Sequence, residues 1–213
     1  MIVYWVLLLI TAFFAYVFGC MDTMVLASNF VFHRNLRRLG DSRLWYSNFR
    51  RIFGFKGFVW LAVVELVKDL LPILIGGLLL GIRGHADAGR AFAGFVMVLG
   101  RLWSLFYDFK GSHASFAMVV AAFAADTSVG AAVLVVTVAA IALTRYLSLG
   151  TLIGAVVYAL VAVLVVDDAL ILRLALLTAA LVVIRHIPAL IRVFRRTEPK
   201  LSFEQDITYK LDE

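Results

Sequence analysis

A polar stretch between two apolar runs, residues 98–116, contains the residue types that bind phosphate. Arg101 follows the first apolar run, and the sequence DFKGSH at 108–113 precedes the second. Lys110 and Arg101 supply positive charge, and Gly111 lets backbone N–H groups point at one spot, as they do where a turn cradles a phosphate. The alternative is a plain cytoplasmic turn, because basic turns between membrane spans are common.

A second basic segment, residues 21–56, combines aromatic rings with six arginines. Such a segment is predicted to lie at the membrane interface, with its rings in the lipid and its guanidinium groups toward phosphates. Anchoring to lipid headgroups explains this composition without any ligand, and a site for a phosphorylated ligand is the alternative. The aromatic residues are Phe30, Phe32, Trp45, Tyr46, Phe49 and Phe53.

Three charged residues, Glu65, Lys68 and Asp69, interrupt an otherwise apolar run before Pro72. Their spacing places them on one face of a helix. Each charge in mid-membrane costs about 2.5–3.5 kcal/mol on insertion scales, so this face must look into the protein, where Lys68 can pair with either acid. The group is either an internal ion pair that orients helices or support for a neighbouring site.

The composition identifies a membrane protein that crosses the bilayer several times. Of 213 residues, 63% are hydrophobic, and the mean hydropathy is +0.98, a balance that excludes a soluble domain. The net charge of +6 is typical of cytoplasmic loops that face anionic lipid, so we predict membrane lipids and no nucleic acid as partners. Cys20 is the only cysteine, which rules out an internal disulfide. We predict no metal site and no cofactor.

Apolar runs predict an all-α bundle of about seven transmembrane helices, five long and two short. About 20 residues span the hydrocarbon, so the runs 114–125 and 129–144 are short; they form a bent hairpin or half-helices, and a five-span count would merge or demote two runs. We predict one transmembrane domain over 1–196 and a short cytoplasmic tail over 197–213, with the polar sequence after Arg185 forming a mobile end. The seven runs are 2–20, 57–81, 90–106, 114–125, 129–144, 150–166 and 169–185.

The distribution of basic residues predicts the orientation. With the N-terminus outside and the C-terminus in the cytoplasm, the inner segments hold 15 of the 20 lysines and arginines. The outer turns hold only Arg83 and Arg90, beside four aspartates. This asymmetry follows the positive-inside rule.

Several short motifs that contain polar residues follow one another between residues 10 and 203. They are Gly19-Cys20-Met21, Leu36-Arg37-Arg38-Leu39-Gly40, Tyr46-Ser47-Asn48-Phe49-Arg50-Arg51-Ile52-Phe53-Gly54, Glu65 to Pro72, Gly100-Arg101, Phe109-Lys110-Gly111-Ser112-His113, Arg145-Tyr146-Leu147-Ser148-Leu149, Arg185-His186 and Thr197-Glu198-Pro199-Lys200.

In order and spacing, these motifs resemble those of the bacterial acyl-phosphate-dependent glycerol-3-phosphate acyltransferases, the PlsY family. The run from Glu65 to Pro72 overlays the family's Asp-x-x-Lys-Gly-x-x-Pro, and Gly100-Arg101 overlays its Gly-His. The resemblance implies transfer of an acyl chain from acyl phosphate to the 1-hydroxyl of glycerol 3-phosphate, giving lysophosphatidate for phospholipid biosynthesis. It also implies a multi-pass protein of the bacterial inner membrane.

The retained family positions are implied to bind the two substrates and their phosphates. We expect the four cations among them, at positions 51, 110, 145 and 185, to converge on one pocket that faces the cytoplasm, because holding two phosphates close together requires positive charge. The retained residues are Asn48, Arg51, Lys110, Gly111, Arg145, Ser148, Arg185 and His186.

Three positions that the resemblance implies are catalytic carry other residues: Asp41 replaces a serine, Arg101 a histidine and His113 a lysine. Asp41 would repel an anionic substrate by roughly 4 kcal/mol at 4 Å and an effective dielectric of 20. Arg101 cannot act as a base, because a guanidinium keeps its proton. We therefore expect weak or absent transfer, unless Arg43 neutralises Asp41 and His113 supplies a base. The alternative function is a catalytically impaired relative that binds a phospholipid, a phosphate ligand or a membrane partner.

Cysteine labelling tests the predicted orientation. With the N-terminus outside, we expect an impermeant thiol reagent to modify Ser42→Cys only from the cytoplasmic side and Asp167→Cys only from the outer side. The unsubstituted chain, with its single Cys20, is the control. Labelling of both positions from the same side would contradict the orientation.

Overall fold

The structure, a computed structural model, describes residues 2–30, 46–109, 111, 114–198 and 200, and it gives only the backbone of residues 28–30, 46–48, 51 and 52. Throughout these residues the regular structure is helical, which confirms the all-α prediction. The helices are α1 (Ile2–Cys20), α2 (Thr23–Phe30), α3 (Tyr46–Gly81), α4 (Ala86–Leu102), α5 (Ser115–Ala125), α6 (Thr127–Thr144), α7 (Leu147–Val165) and α8 (Ala169–Phe194), with a short 3-10 turn at Leu105–Tyr107.

Each of the seven predicted runs corresponds to a helix, although several bounds differ, most of all the start of α3 at Tyr46 and the end of α8 at Phe194. Five helices in the described part are long and apolar enough to cross a membrane: α1, α4 with the turn after it, α6, α7 and α8. The chain is thus a multi-pass membrane protein. α3 is longer still but carries several charges, and α5 has only 11 residues. The run 129–144 is not short, since it belongs to the 18-residue α6, and the last span continues from 185 to Phe194.

Two aspartates explain how α6 and α8 begin directly after tight reversals. The side chain of Asp126 accepts hydrogen bonds from the backbone N–H groups of Ser128 (2.7 Å) and Val129 (3.3 Å). Asp168 does the same for the N–H groups of Leu170 (2.8 Å) and Ile171 (2.9 Å). A capping carboxylate satisfies N–H groups that have no partner within the helix. The one-residue connection between α5 and α6 therefore still satisfies two of the N–H groups at the start of α6.

Small residues let the helices approach closely. A side chain at Gly19 would collide with the carbonyl of Met97, and one at Gly100 would collide with the carbonyl of Tyr16. Such contacts are how helices pack in membranes, where apolar side chains gain nothing by leaving the lipid. Large apolar side chains accordingly point outward, as Leu143 does with 85% of its surface exposed.

The helices alternate in direction, so the two longest connections, from α1 to α3 and from α4 to α5, lie at the same end of the bundle. Neighbours from α3 to α8 pack against each other across short connections, as in an up-and-down bundle. α1, α4, α6 and α8 end on the same side as α3, α5 and α7 begin. We call this side the basic end.

A small core closes the basic end. Met24 and Ala27 of α2 are buried against Phe49 and Leu61 of α3, and Phe116 and Leu147 at the starts of α5 and α7 pack on them. The prediction that the rings of segment 21–56 lie in the lipid is therefore wrong for Phe49. Gly54 has φ 74°, a conformation that favours glycine, and it turns the first residues of α3 away from the rest of that helix.

Candidate functional site

The predicted site residues all belong to the basic end or to the segments that connect there. Arg101 lies in the last turn of α4, and Gly111 lies between α4 and α5. Arg145 lies in the turn between α6 and α7, Ser148 lies at the start of α7, and Arg185 and His186 lie in the second half of α8. Asn48 and Arg51 belong to the first turns of α3, where the backbone alone is described. Asp41, Lys110 and His113 lie outside the described residues.

A buried charge cluster of four residues, Glu65, Lys68, Asp69 and Arg101, joins α3 to α4 at this end. Arg101 Nη2 pairs with Glu65 Oε1 and lies 3.4 Å from Asp69 Oδ1, and Lys68 Nζ lies 3.1 Å from the same Asp69 oxygen. The side chains of Arg101, Glu65 and Asp69 are 2%, 1% and 0% exposed. These four residues carry two negative and two positive charges, and buried charges are tolerated where opposite charges pair in this way. The internal ion pair predicted for α3 is thereby confirmed, with Arg101 as an added member.

The burial of Arg101 bears on the prediction that this residue and Lys110 together supply positive charge to a phosphate-binding turn. Its side chain points into the bundle, toward the acids of α3, because two unpaired carboxylates there would each be costly in the membrane. Sequence spacing places Arg101 at the boundary of an apolar run but gives no sign of which way it turns. Both carboxylates contact its Nη2, so a substrate phosphate would have to displace them at that nitrogen.

Three hydrogen bonds tie the end of α1 to the same region. Lys68 Nζ donates to the carbonyl of Met21 at 2.8 Å. The hydroxyl of Ser104 donates to the carbonyl of Cys20 at 2.9 Å, and the hydroxyl of Tyr16 donates to the carbonyl of Trp103 at 2.8 Å. These bonds satisfy carbonyls that have no partner within their helix, so the ends of α1 and α4 are held together.

The segment after α4 folds back onto the end of that helix. The backbone N–H of Phe109 donates to the carbonyl of Ser104 at 2.9 Å, and Asp108 and Phe109 both have positive φ angles, 52° and 58°. A side chain at Gly111 would collide with the carbonyls of Arg101 and Leu102. Only glycine fits at such a close approach between backbones, which gives this retained family glycine a physical reason.

A second polar cluster, formed by Ser148, Arg192 and Glu198, joins α7 to the residues after α8. The hydroxyl of Ser148 donates to Glu198 Oε1 at 2.7 Å, and Arg192 Nε donates to Glu198 Oε2 at 2.6 Å. The Glu198 side chain is 4% exposed. Lys200 lies over the ring of Tyr146, with its Nζ 5.6 Å from the ring centroid. The described residues after Arg185 thus form the rest of α8 and a chain segment packed on the basic end, where a mobile end was predicted.

Sequence reasoning missed Glu198 and Arg192 as site residues. The motif Thr197-Glu198-Pro199-Lys200 was the available signal, but nothing local in it shows that Glu198 is buried against a helix 50 residues earlier in the chain. Next to this cluster, His186 is buried, and its Nδ1 donates to the carbonyl of Val182 at 2.8 Å. That bond leaves Nε2 as the ring nitrogen that can accept a proton.

Arg145 occupies the tight turn between α6 and α7. It has φ 60°, and its backbone N–H donates to the carbonyl of Ile141 at 2.8 Å, which ends α6. This turn brings Arg145 and Ser148 together at the basic end, whereas the convergence of Arg51, Lys110, Arg145 and Arg185 stays a prediction. Among the described residues, no three His, Cys, Asp or Glu side chains come together as a metal site would require.

Comparisons with known proteins agree with this architecture. A family model described as glycerol-3-phosphate acyltransferase matches residues 9–196. The glycerol-3-phosphate acyltransferase of Thermoanaerobacter sp. (strain X514) is 26% identical over 198 residues, which cover 93% of this chain and 98% of that protein. That of Trichlorobacter lovleyi is 30% identical over 190 residues, covering 88% and 94%.

A solved structure shows the same fold. The crystal structure of PlsY (YgiH), an integral membrane glycerol 3-phosphate acyltransferase in its glycerol 3-phosphate form, has a TM-score of 0.76 to this chain. The alignment covers 97% of this chain and 99% of that one, at 21% identity. The structure of the same protein in its lysophosphatidic acid form has a TM-score of 0.75.

Replacing Glu198 by alanine tests the tie between α7 and the residues after α8. We expect Glu198→Ala to lower the melting temperature in detergent by about 4–8 °C, because Arg192 and Ser148 lose a buried charged partner. Hydrogen exchange at Thr197 and Glu198, whose N–H groups bond the Arg192 carbonyl, should become faster.

The control for this change is Asp87→Ala, which breaks another carboxylate–arginine pair, Asp87–Arg90 at 3.0 Å. That pair is exposed, so its loss should shift the melting temperature by only about 1 °C. Equal shifts for the two variants would show that Glu198 does not hold the chain end in place.

Proposed function

The chain belongs to the glycerol-3-phosphate acyltransferase family, and on this premise we propose that it transfers an acyl chain from acyl phosphate to glycerol 3-phosphate. The products are lysophosphatidate and inorganic phosphate, and the reaction serves phospholipid biosynthesis. The observation that carries this proposal is the family match over residues 9–196, nearly the whole membrane domain. The relatives in Thermoanaerobacter and Trichlorobacter bear the name of this activity.

The chemistry requires that two phosphates be held close together. The hydroxyl oxygen of glycerol 3-phosphate attacks the acyl carbon, the bond from that carbon to the phosphate oxygen breaks, and phosphate leaves with the electron pair. The hydroxyl proton passes to a base or to the leaving phosphate. Positioning and charge neutralisation therefore account for most of the catalysis.

The basic end provides the charge for this task. Arg145 stands in the turn between α6 and α7, Arg185 lies near the end of α8, and Arg51 and Lys110 belong to segments that connect at the same end. Bidentate arginine–phosphate contacts are strong and orient the ligand. We propose that these four cations hold the phosphates, with Asn48 and the backbone around Gly111 as further donors.

Ser148 has a more limited role in this arrangement. Its hydroxyl carries one proton, which it donates to Glu198, so the same proton is not available to a phosphate. In the conformation described, Ser148 therefore holds Glu198 in place. His186 stands one residue beyond Arg185, and its Nε2 is a candidate acceptor for a proton from the substrate.

The proposed setting is the bacterial inner membrane, with the basic end in the cytoplasm. The basic residues of the inner segments support this orientation. Acyl phosphate would reach the site from the lipid, since its chain is apolar, and glycerol 3-phosphate from the water. Both substrates then meet at the depth where the helices of the basic end begin and end.

Replacing Asp41 tests whether this chain has the proposed activity or is a catalytically impaired relative. With purified protein in lipid, palmitoyl phosphate and glycerol 3-phosphate, we expect slow formation of lysophosphatidate. Asp41→Ser should lower the KM for glycerol 3-phosphate at least about tenfold, because a repulsion of roughly 4 kcal/mol at 4 Å is removed. Asp167→Ser, which removes an exposed charge from the predicted outer side, is the matched control.

The outcomes separate the two functions. A KM unchanged by Asp41→Ser would contradict the repulsion at that residue. Saturable binding of glycerol 3-phosphate without transfer, in both the unmodified chain and Asp41→Ser, would favour the impaired relative that only binds phosphate ligands. Turnover by the unmodified chain comparable to that of an intact relative would show that Arg43 and His113 restore the site.

A further inference from the structure

Two of the positions at which this chain departs from the family pattern lie in contact. In the motif overlay, Asp69 stands at the glycine of Asp-x-x-Lys-Gly-x-x-Pro, and Arg101 stands at the histidine of Gly-His. The two residues are 32 positions apart and belong to different helices, yet Arg101 Nη2 lies 3.4 Å from Asp69 Oδ1. Both side chains are buried.

Charge balance explains why the two residues occur together. Without them, Glu65 and Lys68 form a neutral pair. An arginine at 101 alone would add one positive charge to the bundle, and an aspartate at 69 alone would add one negative charge. An added charge without a counter-charge is costly in a site shielded from water, whereas the two together leave the net charge of the site unchanged. Lys68 and Arg101 then share the same Asp69 oxygen.

The pair also determines where the end of α4 lies. The side chain of Arg101 is fixed on α3 by Glu65 and Asp69, and its own carbonyl forms part of the surface on which Gly111 packs. A shift of this helix end would move Gly111, and with it the chain on both sides of that glycine. The ion pairs can therefore act on substrate binding without touching substrate.

We propose that Asp69 and Arg101 are a compensating pair, and that Arg101 is a positioning residue for the segment after α4 rather than a replacement for the family histidine. The pairing itself is independent of the proposed function; only its effect on glycerol 3-phosphate binding rests on it. The restoration of histidine at 101 alone should consequently harm this chain, because Glu65 would lose the arginine that pairs with it and Asp69 would keep only Lys68.

The test is a double-mutant cycle with Asp69→Asn, Arg101→Gln and the double variant, all purified in detergent or lipid. Each single change leaves one unbalanced charge and should lower the melting temperature by about 5–10 °C. The double variant is neutral again, so its loss should be clearly smaller than the sum of the two single losses. Amide exchange at Tyr107 and Phe109, whose N–H groups bond the Ser104 carbonyl, should follow the same order.

Asp87→Asn and Arg90→Gln, with their double variant, form the control cycle. This pair is exposed, so all three variants should shift the melting temperature by only about 1 °C. A second buried cycle with Asp69→Gly and Arg101→His, the family residues, should show the same coupling. It covers the case in which a variant of the first cycle fails to fold.

Kinetics then distinguish positioning from catalysis. The single variants should raise the KM for glycerol 3-phosphate about tenfold with a much smaller change in kcat, and Arg101→Lys, which keeps the charge, should recover part of the loss.

Additive losses of melting temperature in both buried cycles would overturn the proposal. So would an Arg101→Gln variant of normal stability and KM whose kcat is abolished. An unmodified chain without turnover would contradict the proposed function but leave the stability and exchange measurements to decide the pairing.

Discussion

The constraint on which this structure depends is that charges inside a membrane must be paired. α3 carries Glu65, Lys68 and Asp69 within a stretch, residues 57–81, that is otherwise apolar, and Arg101 of α4 and the Met21 carbonyl pair with them. This requirement selects the face that α3 turns to α4 and joins the end of α1 to both. Close backbone contacts at Gly19 and Gly100 then bring α1 against α4.

A second buried charge at the basic end, the carboxylate of Glu198, is also paired. Glu198 is buried after the last helix because Ser148 and Arg192 both donate hydrogen bonds to it. One cluster thus fixes α1, α3 and α4, and the other fixes α7 and α8. The segments with the proposed phosphate-binding cations leave from these helix ends, so buried polar contacts set the geometry of a site that must itself stay open to water and lipid.

Much of the fold could be predicted from the sequence, because apolar runs and buried charges follow from the membrane alone. The seven predicted helices follow from the apolar runs, and the inward face of α3 follows from its buried charges. The end of α8 was misplaced because Arg185, His186 and Pro188 look like the end of a span, whereas the bundle buries His186 and the helix continues past the proline. The roles of Arg101 and Glu198 could not be predicted, since each depends on a partner distant in sequence. The pocket formed by Arg51, Lys110, Arg145 and Arg185 remains a prediction.

The central claim is that the basic end holds the phosphate of glycerol 3-phosphate even though Arg101 is committed to its own carboxylates. Its most direct test is the melting temperature of the purified chain in detergent as the concentration of glycerol 3-phosphate increases, with glycerol as the control. A ligand that binds only the folded chain stabilises it by about 2.7 kcal/mol at 100 times its Kd, which is several degrees for a chain of this size. We predict a saturable increase with glycerol 3-phosphate and none with glycerol. Identical curves for the two compounds would contradict the account.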